Sequence, residues 1–293
     1  MRAPQALALA EGRLAALAWG EEGAPTWLAL HGWLDNAASF SRLAPRLVDT
    51  LGIRVVAIDF AGHGLSRHRD GDYALWDYCH DLLDACDALG LSRVPLLAHS
   101  MGAAVAGLTA AALPERIASL VLIDGLGALT TDASEAPAQL RKGLLAERRP
   151  RSSGPRYPDR ERALAARVAG GATPIDADTA RPLVSRNLIA LADGSVRLRT
   201  DARLLRPSPV RFSPSQVDAM LGAIACPVLL IEGKGGIMGE RARARQVRGA
   251  VARLTRTVLP GGHHLHLEPD AVARVASSIA SWQHAVADGE QGG

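Results

Sequence analysis

Ser100 stands in the pentapeptide Ala98-His99-Ser100-Met101-Gly102. It follows the apolar run Val94-Pro95-Leu96-Leu97 and precedes the small-residue stretch Ala103-Ala104-Val105-Ala106-Gly107. A serine at a sharp turn from a buried strand into a helix holds its hydroxyl exposed above the positive end of the helix dipole. Such a turn tolerates only small neighbours, and Ala98 and Gly102 supply them two residues to either side, with alanine standing where the usual Gly-x-Ser-x-Gly pattern begins. The chemistry implied is nucleophilic attack by a hydroxyl. That needs a base to take the proton, a task suited to histidine. Of the nine histidines, three crowd into one loop, His263, His264 and His266, after residues 255–259 and the Pro260-Gly261-Gly262 turn. A metal reading of these three lacks a matching acid–histidine set at helical spacing elsewhere, so no metal is expected. Asp59 to Ser66 is glycine-rich but has no lysine and no dinucleotide spacing, and reads as a structural turn.

The elements that must position these residues alternate. Residues 7–10 and 14–19 read as a hairpin around Glu11-Gly12. Residues 26–30, 53–58, 94–98 and 120–123 read as strands. Residues 39–50, 73–89 and 100–113 have helical periodicity, with Leu75, Tyr78, Leu82 and Ala85 on one face and Pro114 as a stop. After a long gap the rhythm resumes with a strand at 228–231, a helix at 241–251, a strand at 255–259 and a closing helix at 269–284. Alternation of this kind predicts an α/β protein with a mostly parallel sheet covered on both faces. The gap is rich in proline and arginine. Between Arg141 and Arg167 it carries nine basic and three acidic residues. An insertion at the carboxyl ends of the strands lies where a lid would sit. The expected organisation is therefore a core of residues 1–125 and 214–293, with a lid over residues 126–213.

Composition excludes several classes. With 293 residues and 48% hydrophobic side chains the chain can bury a large core. No apolar run reaches bilayer length, and Gln5, Glu11, Arg13, Glu21 and Glu22 break up any secretory signal. Cys79, Cys86 and Cys226 are few and not at metal spacing, a reduced set that points to the cytoplasm. The net charge of +3 rests on arginine, since Lys142 and Lys234 are the only lysines. No aromatic–basic interleaving suggests nucleic acid.

His31-Gly32-Trp33, Asp59-Phe60-Ala61-Gly62-His63-Gly64-Leu65-Ser66, the Ser100 pentapeptide and Gly261-Gly262-His263 occur in the order and spacing of the α/β-hydrolase superfamily. Within it, the run from His31 to Phe40, Arg186-Asn187 and the run from Arg197 to Asp201 resemble the serine hydrolase-like proteins. The resemblance implies the α/β-hydrolase fold, with a helical lid. By its register His263 is the base, with His264 as runner-up, while His266 packs or hydrogen-bonds in the loop. It also exposes a departure. The superfamily acid commonly ends a Gly-x-x-Asp after the strand that follows the lid, and here Gly233-Lys234-Gly235-Gly236 puts glycine in that place. A neutral residue cannot stabilise the charged imidazole. Asp124, at the end of the neighbouring strand where some members keep their acid, is the expected replacement, and Glu232 is the alternative. The backbone N–H groups of Trp33 and Met101 are the expected oxyanion donors.

The reading implied is a serine hydrolase cleaving a carboxylic ester, thioester or related acyl compound, with no cofactor. Carbon–carbon bond hydrolysis by the same triad is one alternative. A non-catalytic binding protein on the same fold is another, motivated by the missing acid. The substrate is expected to be small. The arginine-rich stretch around Arg148, Arg149 and Arg151 would suit an acidic carrier protein. A monomer or dimer is expected.

Overall fold

The computed structural model describes residues 3–149, 154–170 and 173–291. Arg151 lies outside them. The first half of the chain runs through β1 (Gln5–Leu9), β2 (Leu14–Trp19), β3 (Thr26–Leu30), α1 (Leu43–Leu51), β4 (Arg54–Ile58), α2 (Asp77–Ala88), β5 (Val94–His99), α3 (Met101–Ala112) and β6 (Ile117–Ile123). The middle carries α4 (Ala136–Glu147), β7 (Arg156–Tyr157), α5 (Arg160–Ala169), α6 (Ala177–Asn187), β8 (Leu188–Ala190) and β9 (Val196–Leu198). The chain then closes with α7 (Pro214–Gly222), β10 (Val228–Gly235), α8 (Ala242–Ala250), β11 (Leu254–Gly262) and α9 (Val272–Gln291).

Eight strands form one sheet in the order β1-β2-β4-β3-β5-β6-β10-β11. Only β1–β2 and β2–β4 pair antiparallel; the other neighbours are parallel. The two-residue period of the strands sorts their side chains onto the two faces. Leu28, Leu30, Val56, Ile58, Leu96, Ala98, Leu120 and Leu122 pack on one face with residues of α2, α3, α7 and α8. Trp27, Ala29, Val55, Ala57, Leu97, Val121 and Ile123 pack on the other with α1 and α9. Because both faces are covered, β4 is buried along its whole length, which is why the central strands read as continuous apolar runs.

Several boundaries depart from the sequence expectation. The helix expected from residue 39 begins at Leu43, after a 3₁₀ turn (Ala37–Phe40) whose Ala38 N–H is capped by the Asn36 side chain. Pro45 lacks an N–H and so suits the first turn of α1 rather than its interior. The helix expected from Tyr73 begins at Asp77, because the Tyr73 hydroxyl is committed to the Arg69 N–H and to Asp201. The Pro260-Gly261-Gly262 segment is strand rather than turn, as β11 keeps its parallel partner β10 as far as Gly262. Helix α7 was not foreseen, although Ser213 and Gln216 close a capping box around its start and Pro214 sits in its first turn. Residues 126–213 are not helical alone. β7, β9 and β8 build a small antiparallel sheet, and α5 and α6 pack with it around Ala163, Leu164, Ala180, Val184, Leu188 and Val196. Among the described residues no helix is long and apolar enough to cross a membrane.

The close approach of α3 to the sheet rests on one glycine. A Cβ built on Gly102 would lie 2.3 Å from the carbonyl oxygen of Leu30 and 2.8 Å from that of His31. Overpacking against backbone has no cheap relief. Gly102→Ala is expected to lower stability by about 1–3 kcal/mol in urea unfolding. An unchanged midpoint would mean that α3 does not need this approach.

Candidate active site

Five chain segments meet at the carboxyl ends of the parallel strands, the usual place for a ligand in such a sheet. β5 ends at His99, and Ser100 follows with φ 53° and ψ −112°. A non-glycine residue rarely adopts these angles, and the surroundings hold it there. Ser100 N–H donates to the Ile123 carbonyl, Gly102 N–H to the His31 carbonyl, and a Cβ on Gly125 would fall 2.8 Å from Ser100 Cα. The result is a hydroxyl lifted off the strand end at the first turn of α3.

His263 follows β11. Its Nε2 lies 3.0 Å from Ser100 Oγ, and its Nδ1 lies 2.6 Å from Asp124 Oδ2. With a carboxylate at Nδ1, a neutral ring carries its proton on that nitrogen and leaves Nε2 as an acceptor facing the Ser100 hydroxyl. Asp124 follows β6, is fully buried, and has a positive φ of 43°. Its carboxylate also accepts from Ile237 N–H at 2.8 Å and from Gly233 N–H at 3.3 Å. Gly236, which stands where the superfamily carries its aspartate, has a physical reason to be glycine. A Cβ there would lie 2.2 Å from Asp124 Oδ1.

The remaining sequence-predicted residues fall into two groups. Glu232 is not brought to His263. It is buried in β10 and its carboxylate is held by Arg248, at 2.7 and 2.9 Å, and by Arg256, at 2.8 and 3.0 Å. His264 does not reach Ser100 either, because its Nε2 is directed to Asp35 Oδ2 at 3.1 Å. His266 meets Ser39 Oγ at 2.7 Å. Met101 is the first residue of α3, so its N–H has no acceptor within the helix. The Trp33 N–H has no protein acceptor among the described residues, while the indole of this half-exposed residue donates to the Leu204 carbonyl at 3.0 Å.

Behind this arrangement lies a layer of buried histidines. His31 Nδ1–H donates to the Gly32 carbonyl and its Nε2 accepts from Phe60 N–H, so the ring is fixed as one neutral tautomer. His63 donates to the Ala61 carbonyl. His99 donates from Nε2 to the His263 carbonyl at 2.9 Å and packs tilted against the rings of His263, His264 and His266, with centroids 4.3–5.0 Å apart. Burial pushes the pKa of His31 and His99 down to about 4 and that of His63 to about 3, and holds His266 well below the ordinary range. Burial would raise the pKa of Asp35, but His264 beside it holds that carboxyl well below its usual value.

Sequence reasoning missed two features. Asp35, His99 and His264 gather ligand-type atoms within 4.8 Å of one another, although they come from three separate loops with no shared spacing. Asp59 is a fully buried hub. It accepts from the N–H groups of Ala37 and Leu65, and from Arg186 of the 126–213 segment at 2.9–3.1 Å. Asn187, quoted with Arg186 for the subfamily resemblance, bonds Thr200 from both ends of its amide. Asp59 thus ties the 126–213 segment to the end of β4, and Asn187 braces that segment internally.

A family model described as the alpha/beta hydrolase fold matches residues 25–270. A serine hydrolase-like protein of Dictyostelium discoideum is 31% identical over 269 residues, 87% of this chain and 74% of that one. Among solved structures, a hypothetical protein from Pseudomonas aeruginosa PAO1 superposes with a TM-score of 0.87 and 40% identity, covering 97% of this chain and 100% of the other. A thioesterase domain from the curacin biosynthetic pathway follows with a TM-score of 0.79 and 27% identity, over 95% and 98% of the two chains.

The buried histidines set a pH dependence of stability. Their folded pKa values lie below the ordinary value near 6.5. Between about pH 6.5 and 4 the unfolded chain therefore binds more protons than the folded one, and stability rises with pH across that window. Each histidine that titrates only on unfolding contributes up to about 1.4 kcal/mol per pH unit. Thermal unfolding is expected to show a melting temperature that is flat above pH 7 and falls steadily below about 6.5. A melting temperature level down to pH 5 would overturn the assignment of these rings as neutral.

Proposed function

The chain belongs to the α/β-hydrolase family and resembles its serine hydrolase-like members, and on that footing we propose that it cleaves a carboxylic ester, thioester or related acyl compound through an acyl-enzyme. The observation that carries this reading is the unbroken hydrogen-bonded run from Ser100 Oγ through His263 to Asp124. Ser100 Oγ attacks the substrate carbonyl while its proton passes to His263 Nε2. Asp124 holds the ring in the required tautomer and stabilises the imidazolium. The negative charge that forms on the substrate oxygen is met by the N–H groups of Met101 and Trp33, which need no reorganisation. Collapse of the intermediate expels the leaving group with the proton from His263. A water, deprotonated by the same nitrogen, then releases the acid and restores the serine. The 2.6 Å contact between His263 and Asp124 favours turnover over a binding-only role, since it supplies the acid that Gly236 does not.

Residues 126–213 act as the lid in this reading. The Asp59–Arg186 ion pair and the hydrogen bonds from Trp33 to Leu204 and from Asn36 to Leu183 fasten the segment over the strand ends. The thioester branch has an observation of its own. α4 exposes Leu140, Leu144 and Leu145 beside the exposed cations Arg141, Lys142, Arg148 and Arg149, a surface that suits an acidic protein carrying an acyl chain.

Two experiments follow. Purified protein is expected to take up a fluorophosphonate on Ser100 and to hydrolyse p-nitrophenyl esters. Ser100→Ala, His263→Ala and Asp124→Asn should each lower kcat/KM by about 10⁴-fold or more. Absence of both labelling and turnover in the wild type would sink the hydrolase reading, and activity within tenfold of wild type in Asp124→Asn would remove that residue from the triad. For the carrier branch, Arg148→Glu combined with Arg149→Glu should lower kcat/KM on a carrier-bound acyl thioester, relative to a small ester, by about tenfold. An unchanged ratio would discard the carrier.

A further inference from the structure

We propose that Asp35, His99 and His264 form a binding site for a divalent transition-metal ion, zinc or cobalt, set directly behind the Ser100–His263 pair. Asp35 comes from the turn after β3, His99 is the last residue of β5, and His264 lies in the turn after β11; all three are buried. Asp35 Oδ2 is 3.1 Å from His264 Nε2 and 3.6 Å from His99 Nδ1. The two separations from Asp35 bracket the distance of about 3.3 Å between neighbouring ligand atoms of a tetrahedral ion with bonds near 2.0–2.1 Å; the three ligand atoms as a set lie within 4.8 Å of one another, so an ion would draw the two imidazoles closer together. Two imidazoles and one carboxylate are the donor set with which zinc keeps a fourth position open.

The orientation of His99 adds a reason for a cation. Its Nε2 faces the His263 carbonyl, which can only accept, so the ring proton is on Nε2. Nδ1 then points a lone pair towards a carboxylate oxygen and has no hydrogen-bond partner. Two acceptors facing each other in a buried site repel, and an ion between them converts that repulsion into ligation. Metal-bound histidines characteristically donate their other ring N–H to a carbonyl or carboxylate, as His99 does here. Gly32 leaves the corner open, since a Cβ there would lie 2.8 Å from His99 Nδ1 and 3.3 Å from Asp35 Oδ2.

The site touches the chemistry without sharing a ligand with it. His99 holds the main chain of His263, and Gly32 precedes Trp33. A bound ion therefore ties together the loops that carry the proposed base and one oxyanion donor.

The test uses untagged, chelator-treated Ser100→Ala protein, so its outcome is independent of whether the chain is a hydrolase. Titration with Co²⁺ is expected to develop the visible absorption of a four-coordinate ion at one ion per chain. Zn²⁺ should displace it and raise the melting temperature by several degrees at a concentration about a hundred times its Kd. Adding His264→Gln or His99→Gln should weaken binding about a hundredfold, and Asp35→Asn serves as a third variant should either fail to fold by circular dichroism. Adding His263→Ala should leave binding within about threefold. No ion bound at about 1 mM Zn²⁺ overturns the site. Binding lost with His263→Ala but kept with His264→Gln also overturns it, by moving the ion onto the proposed base.

Discussion

One buried carboxylate governs the geometry of the strand ends. Asp124 has no solvent to share its charge with, and it is satisfied by His263 Nδ1 and by the N–H groups of Gly233 and Ile237. The last two belong to the end of β10 and the bend after it. The same oxygens therefore fix where β10 turns away from the sheet and where the His263 ring stands relative to Ser100. A buried charge is tolerated only when it is paired and hydrogen-bonded. This explains why a side chain in a left-handed backbone conformation, itself worth about 1–3 kcal/mol of strain, is retained at residue 124.

The serine side of the site has the same logic with different parts. Ser100 is also held at positive φ, and the strain is sustained by close packing around it. Gly102 lets α3 press onto the end of β3, and Gly125 lets β6 pass under the Ser100 backbone. The Ser100 turn and the Asp124 turn thus support one another through adjacent strands. Layers of neutral histidine fill the space beneath them, where polar atoms are needed but charge would be costly.

How much of this could be read from the sequence varies with the range of the interaction. The strands announce themselves because a sheet covered on both faces demands apolar side chains on both sides of each strand, and β3 and β2 begin and end where the pattern says. The serine turn is similarly legible, being set by five consecutive residues. Pairings across distant loops carry no local signal. Nothing near Asp59 announces Arg186, 127 residues later, and nothing in the spacing of Asp35, His99 and His264 joins them. The small β7-β9-β8 sheet was invisible for another reason, since strands of two and three residues are too short to establish a period. The vacancy at Gly236 was visible as a departure from pattern, but its cause lies on another strand.

That vacancy has a consequence for how such a site changes over time. The atoms that a residue-236 side chain would occupy are already those of Asp124 Oδ1 and Oδ2, 2.2 and 2.4 Å from the position of a Cβ. A carboxylate at 236 and the carboxylate at 124 are mutually exclusive occupants of one hole. A lineage passing from one to the other by single replacements must cross either a form with two carboxylates in that space or one with none. The first is barred by volume and by like charge, so the open route runs through a chain with neither carboxylate. A glycine at 236 therefore locks the choice at 124, and each strand end keeps a record of what the other has done.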